Sequence, residues 1–123
     1  MSEFTLFPYP VSANKYWRRF GHSMVISKEA KDYKQKSRIA YRANGGFQLL
    51  GDVAVDIMLL PKINKNGTTC KVVMDLDNCI KITLDAMNGV AYIDDKQVKS
   101  ITVKYGKPCL NGGLMVKVAD YVE

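Results

Sequence analysis

The sequence predicts an α+β fold: one small domain over residues 1–123, with a mixed β-sheet and two main helices. Three observations carry that expectation. Apolar residues alternate or cluster in short runs at 3–8, 52–60, 98–105 and 114–121, as they do in strands with a buried face. Two other windows, 28–43 and 78–87, repeat instead at helical spacing. Breakers separate these segments at Pro8, Pro61, Asn44-Gly45-Gly46, Asn88-Gly89 and Asn111-Gly112-Gly113.

The elements follow in order. Residues 3–8 alternate and end at Pro8, which suits a short strand leading to an edge or loop. A turn-rich stretch, 8–14, runs directly into Lys15-Tyr16-Trp17-Arg18-Arg19-Phe20. Ser27 then reads as an N-cap, opening a helix to about Ala43 that Asn44-Gly45-Gly46 closes. Ala30, Tyr33, Ser37 and Ala40 form its weak apolar face, and Lys31, Gln35, Arg38 and Arg42 line another. Residues 52–60 start with alternation and finish as an apolar run that Pro61 stops. Residues 62–69 are a polar loop or hairpin tip, and 70–74 return to an extended apolar pattern that delivers the chain to Asp75. The second helix, 78–87, carries Ile80, Leu84 and Met87, with Ile82 and Ala86 beside them. Asn88-Gly89 ends it, because glycine enters the left-handed conformation cheaply. Strands at 98–105 and 114–121 flank a turn at 107–113.

Composition narrows the function. No apolar run reaches the roughly 18 residues that span a bilayer, and the N-terminus does not read as a secretory signal. A cytoplasmic protein without a membrane partner is expected. Cys70, Cys79 and Cys109 form no CxxC pair and His22 is the single histidine, so zinc-ligand spacing is missing and a disulfide framework is not expected. Charge is uneven. Residues 1–74 hold twelve Lys or Arg against five Asp or Glu, and residues 75–123 hold six against seven. The basic part attracts phosphate backbones, while the other part keeps a local acidic focus.

That focus is Asp75-Leu76-Asp77-Asn78, followed by Lys81, Asp85 and Asp94-Asp95. Read as an extended step at a strand-to-helix junction, Asp75 and Asp77 share a face and converge on one ion. Lys81 lies one turn beyond Asp77 on the same helical face. Asp95 returns after the helix toward the first pair. Carboxylates with open positions suit Mg²⁺, which keeps waters and bridges to phosphate oxygens. The chemistry expected is metal-assisted phosphodiester hydrolysis, with Lys81 offsetting charge on phosphorus or positioning water. Taken singly, an Asp before a helix is usually a cap, and Asp94-Asp95 is a turn. Two rival motifs fail. An EF-hand loop starting at Asp75 needs Gly and Glu where Ile80 and Ala86 stand. A haloacid-dehalogenase-type phosphatase needs a long doubly wound sheet after its DxD, and only residues 78–123 remain.

The blocks Asp75-Leu76-Asp77-Asn78, Lys81, Asp85-Ala86 and Asp94-Asp95-Lys96-Gln97-Val98 resemble the RusA family of Holliday-junction resolvases of bacteria, prophages and phages. Pro10-Val11-Ser12-Ala13-Asn14-Lys15-Tyr16-Trp17-Arg18 is similar to that family's Pro-x-Ser-x-Asn-x-Tyr-x-Arg opening. The likeness covers nearly the whole chain, although the Lys62 to Lys71 loop is less arginine-rich and longer than the family's run before DLDN. The resemblance implies a RusA-like fold and a homodimer that nicks symmetrically opposed strands of four-way DNA junctions. It implies Mg²⁺ as cofactor, with Mn²⁺ expected to substitute, and no small-molecule cofactor. It makes Asp75, Asp77 and Asp95 metal ligands and Lys81 an essential catalytic group, with Asp94 the weaker of its pair. Asp85 matches too, and its helical position suggests a salt bridge to Lys81.

A C2 dimer also supplies the two equivalent sites that two opposed phosphodiesters require. Asn14, Lys15, Arg18, Arg19, Lys62 and Lys65 are the expected DNA contacts. Tyr16, Trp17 or Phe20 would either stack at an opened crossover or pack in the core. The setting is the cytoplasm of a bacterial cell or an infected bacterial host. An endonuclease for flaps or other branched DNA, and a non-catalytic junction-binding protein, are the alternatives.

Overall fold

Every second residue of the strand Val53–Leu60 is buried, and that alternation organises the molecule. The computed structural model describes residues 4–70 and 74–122. Its elements are β1 (Thr5–Phe7), α1 (Ala13–Tyr16), β2 (Trp17–Phe20), β3 (Ser23–Ile26), α2 (Lys28–Ala43), β4 (Val53–Leu60), β5 (Lys62–Ile63), α3 (Asp77–Met87), a 3-10 turn (Asp95–Gln97), β6 (Val98–Tyr105), β7 (Cys109–Leu110) and β8 (Gly113–Asp120).

Four strands form the mixed sheet in the order β1-β8-β4-β6, with β4 and β6 parallel and the other two pairs antiparallel. The expected α+β class is what forms. Val55, Ile57 and Leu59 of β4 lie opposite Val118, Val116 and Leu114 of β8. All six are buried, so register and burial agree. β6 joins β4 through a register shift that leaves Lys99 unmatched between Val98 and Ser100.

The two long helices close the core. α2 starts where Ser27 Oγ accepts the Ala30 N–H at 3.2 Å and stops at Gly45, whose φ is 83°. It buries Ala30, Tyr33, Ser37 and Tyr41, so Tyr41 rather than Ala40 completes the inward stripe. α3 buries Cys79, Ile82, Thr83, Ala86 and Met87. The stripe expected through Ile80 and Leu84 is thus rotated, because Cys79 and Thr83 count as core. Both are small enough to approach the sheet, and Thr83 satisfies its hydroxyl on the Cys79 carbonyl at 2.7 Å.

Three features depart from the sequence reading. Residues 17–26 form an antiparallel hairpin, β2–β3, turned at Gly21 with φ 63°. Its two-residue turn with glycine first is a hairpin signature present in Phe20-Gly21-His22-Ser23. The four-residue α1 precedes it. β5 and β7 form a small second parallel pair beside the loop at 64–68. The extended segment expected at 70–74 falls mostly on residues 71–73, outside the described ones. All three cysteines are free, with Cys79 buried and the other two half-buried.

Candidate active site

The chain enters the acidic motif pinned at Met74. Its N–H donates to Tyr9 Oη at 3.3 Å, and its carbonyl accepts from the Tyr105 hydroxyl at 3.0 Å. Neither tyrosine was marked by the sequence, because the bonds span 65 and 31 residues. Past Met74 the backbone turns helical at once. Leu76 has φ −60° and ψ −37°, and the Asp75 carbonyl accepts the Asn78 N–H at 3.1 Å.

The Asp75-Leu76-Asp77 step is therefore not extended. The helical turn at Leu76 breaks the alternation of an extended step, so the two carboxylates do not share a strand face. They line different clefts. Asp77 sits with Lys81, Asn78, Tyr16, Trp17, Val11 and Ile82. Asp75 sits with Lys62, Tyr9, Ser12, Cys70 and Met74. Asn78 lines both clefts, forming the wall between them. No side chain caps α3, so the N-cap reading of these exposed carboxylates does not hold.

Lys81 shares the Asp77 cleft, as the helical spacing predicts. Asp85 does not pair with it. The Asp85 carboxylate accepts from the Tyr16 hydroxyl and pairs with Lys34 at 3.6 Å. Burial, the bond to Asp85 and its charge hold the Tyr16 phenol protonated well above its usual range. That network ties α1 to α2 and α3 and leaves Lys81 exposed toward the cleft.

Asp95 arrives on the 3-10 turn after α3. The turn is anchored by Gln97, to which the sequence reading assigns no role of its own. Its side-chain oxygen accepts the N–H groups of Ile93 at 2.8 Å and Asp94 at 3.1 Å. Its amide donates to the carbonyls of Leu49 at 3.0 Å and Gly51 at 2.7 Å. Asp94 and Gln97 form a capping box, and the Asp94 carboxylate also accepts the Lys96 N–H at 3.1 Å. The Asp-x-x-Gln spacing was a readable signal for this anchor.

Asp94 and Asp95 also perturb each other's ionisation. The bond from Asp94 raises the Asp95 carboxyl above the usual carboxylate range, and the Asp94 and Asp85 charges add to it while Lys81 opposes them. Asp94 is lowered, first by the Lys96 N–H and then by Asp95. Lys81 thus acts electrostatically on Asp95 while sharing a cleft with Asp77. Burial pushes the Cys79 thiol up to about 11, with the Asp77 charge adding to it, so this cysteine is no nucleophile at neutral pH.

Among the described residues, no three of His, Cys, Asp and Glu stand close enough to hold one ion. The structure does not bring Asp75, Asp77 and Asp95 into a single ligand cluster. The donor chemistry still fits Mg²⁺. That ion takes oxygen donors, keeps waters and is commonly bound through one or two carboxylates plus substrate phosphates, without a closed protein cage. Carboxylates crowded enough to raise Asp95 are the environment a cation relieves.

The expected DNA contacts flank the two clefts. Lys15, Arg18 and Arg19 are exposed on α1 and β2, with Arg18 5.6 Å from the Phe20 ring centre. Lys62 lies 4.5 Å over the Tyr9 ring in the Asp75 cleft, and Lys65 is exposed at the tip of the 64–68 loop. The Asn14 side chain lies outside the described ones. Of the three aromatics, Tyr16 is core, at 5% exposure, while Trp17 at 43% and Phe20 at 65% face solvent. His22 is exposed in the hairpin turn.

A sequence model of the family described as Endodeoxyribonuclease RusA matches residues 8–119, nearly the whole fold. The chain belongs to that family. A curated relative, named crossover junction endodeoxyribonuclease rusA, from Enterobacteria phage HK97, is 29% identical over 122 residues, covering 92% of this chain and 90% of the relative. This RusA-family endodeoxyribonuclease has, among its described residues, no helix long and apolar enough to cross a membrane.

Proposed function

We propose that this chain resolves four-way DNA junctions by paired, symmetric, Mg²⁺-dependent nicks, acting as a homodimer in the cytoplasm of a bacterial cell or infected host. The observation that carries the reading is the cleft in which exposed Asp77 and Lys81 meet Trp17 at the root of a basic hairpin. The junction-cutting name of the phage relative supports the substrate.

Asp75, Asp77 and Asp95 would offer carboxylates to Mg²⁺ from separate positions, one or two at a time, with substrate phosphates and waters completing the shell. The ion, when bound, supplies charge neutralisation at the scissile phosphate and activates the attacking water. The Lys81 ammonium, held by α3 in the Asp77 cleft, stabilises charge that grows on the phosphoryl oxygens. Lys62 grips a neighbouring phosphate on the Asp75 side, and Lys15, Arg18 and Arg19 hold backbone on the hairpin side. These contacts set position without reading sequence. Trp17 presents an aromatic face to a base unstacked at the branch. Two such sites, related by the dyad of a dimer, reach opposed strands.

Labelled junction, duplex and flap substrates, with Mg²⁺ or Mn²⁺ omitted and restored, test this reading. Paired nicks in the junction that need the metal are expected. Binding without cleavage in either metal would make the protein a junction binder, and preferential flap cutting would change the substrate.

A further inference from the structure

A third cleft of quite different chemistry lies along α2. It is lined by Lys31, Lys34, Arg38 and Arg42, with Gln35, Ile26 and Ile39, and holds no carboxylate among the described residues. Two of its cations are fixed. Lys34 pairs with Asp85 at 3.6 Å, and Arg38 donates to the carbonyls of Ala86 at 2.9 Å and Asn88 at 3.2 Å. Lys31 and Arg42 are exposed at the two ends. From Lys31 to Arg42 the helix rises about 16 Å, a length that faces about five phosphates of one strand.

The groove adjoins the candidate active site. Ile26 lines the groove, and its ladder partner Trp17 lines the Asp77 cleft. Asp85 joins them from within, bonded to Lys34 on one side and to Tyr16 on the other. A backbone leaving the Asp77 cleft past Trp17 therefore meets a row of cations, two of them already held in place.

We infer that the α2 groove binds the phosphate backbone of one duplex arm of the DNA substrate, with Lys31 and Arg42 as its terminal contacts. This rests on the branched-DNA reading for the substrate, but binding to plain duplex tests it separately. Lys31→Gln/Arg42→Gln spares the half-buried bonds of Lys34 and Arg38. Lys99→Gln/Lys104→Gln on β6 removes equal charge away from the groove.

Anisotropy titrations of metal-free protein against labelled duplex and labelled junction, over a range of salt, give the slope of log affinity against log salt. The groove variant should bind about tenfold more weakly near 0.1 M salt, with a slope smaller by about two, one unit per lost phosphate contact. The β6 variant should keep the slope. Equal slopes in wild type and groove variant, or equal losses in the two variants, overturn the inference. Loss of binding to polyglutamate with duplex binding unchanged also overturns it and assigns the groove to an acidic protein. Failure of wild type to cut junctions counts against the proposed function, while the duplex slopes still decide the groove.

Discussion

Asp77 stands on a helix whose phase is locked by Cys79, Ile82, Thr83, Ala86 and Met87, all buried, whereas Asp95 stands on a 3-10 turn that buries nothing. The first carboxylate is placed by core packing and the second by the hydrogen bonds of one side chain, Gln97. Packing is spread over many contacts, so no single polar change shifts Asp77. The Asp95 turn depends chiefly on the one Gln97 side chain, with the Asp94 cap beside it. A site built from both joins a fixed half to an adjustable half.

The largest effect should come from the fixed half. Asp77→Asn keeps the shape of an exposed side chain and removes its charge, so cleavage should fall by about a thousandfold or more. Its melting temperature should stay within a degree or two of wild type, since nothing bonds to that carboxylate as a cap. Gln97→Ala should act differently. Four bonds disappear and the turn loosens, for about 1–3 kcal/mol of stability. The Mg²⁺ concentration for half-maximal cutting should rise about 10- to 100-fold, as for other residues that orient ligands. A metal titration at fixed DNA checks this, and an unchanged half-maximum would show that Asp95 does not depend on Gln97.

Tyr105→Phe probes the entry to the motif. It removes the bond to the Met74 carbonyl, for about 1 kcal/mol by urea unfolding, and should slow cutting only a few-fold. The smallest effect concerns protons. Asp95 is raised, so alone it favours the fold below the ordinary carboxylate pKa and loses that as pH rises through its raised value. Asp94 is lowered, so it favours the fold above the ordinary value and loses that as pH falls. The two oppose each other, and acid stability should change little. Asp94→Asn removes the neighbouring charge, and the Asp95 carboxyl should then titrate lower by NMR in metal-free protein.

Much of this was legible in the sequence, for physical reasons. Ser27 and Asn44-Gly45-Gly46 bounded α2 at Lys28–Ala43 because caps are local chemistry. The spacing of Asp77 and Lys81 put both in one cleft because a helix repeats. Asp75 was misplaced beside Asp77 because the strand was expected to run through Leu76, where the backbone is already helical. Asp85 was given to Lys81 on its own helix, yet Tyr16 and Lys34 from other elements claim it. The roles of Tyr9 and Tyr105 depend on contacts that no local pattern encodes.

The most direct measurement is cleavage of a labelled four-way junction by wild type and by folded Asp77→Asn, each with and without Mg²⁺. Paired nicks are expected from wild type with metal and from no other combination. Cutting that persists in Asp77→Asn, or in wild type stripped of divalent ions, would contradict it.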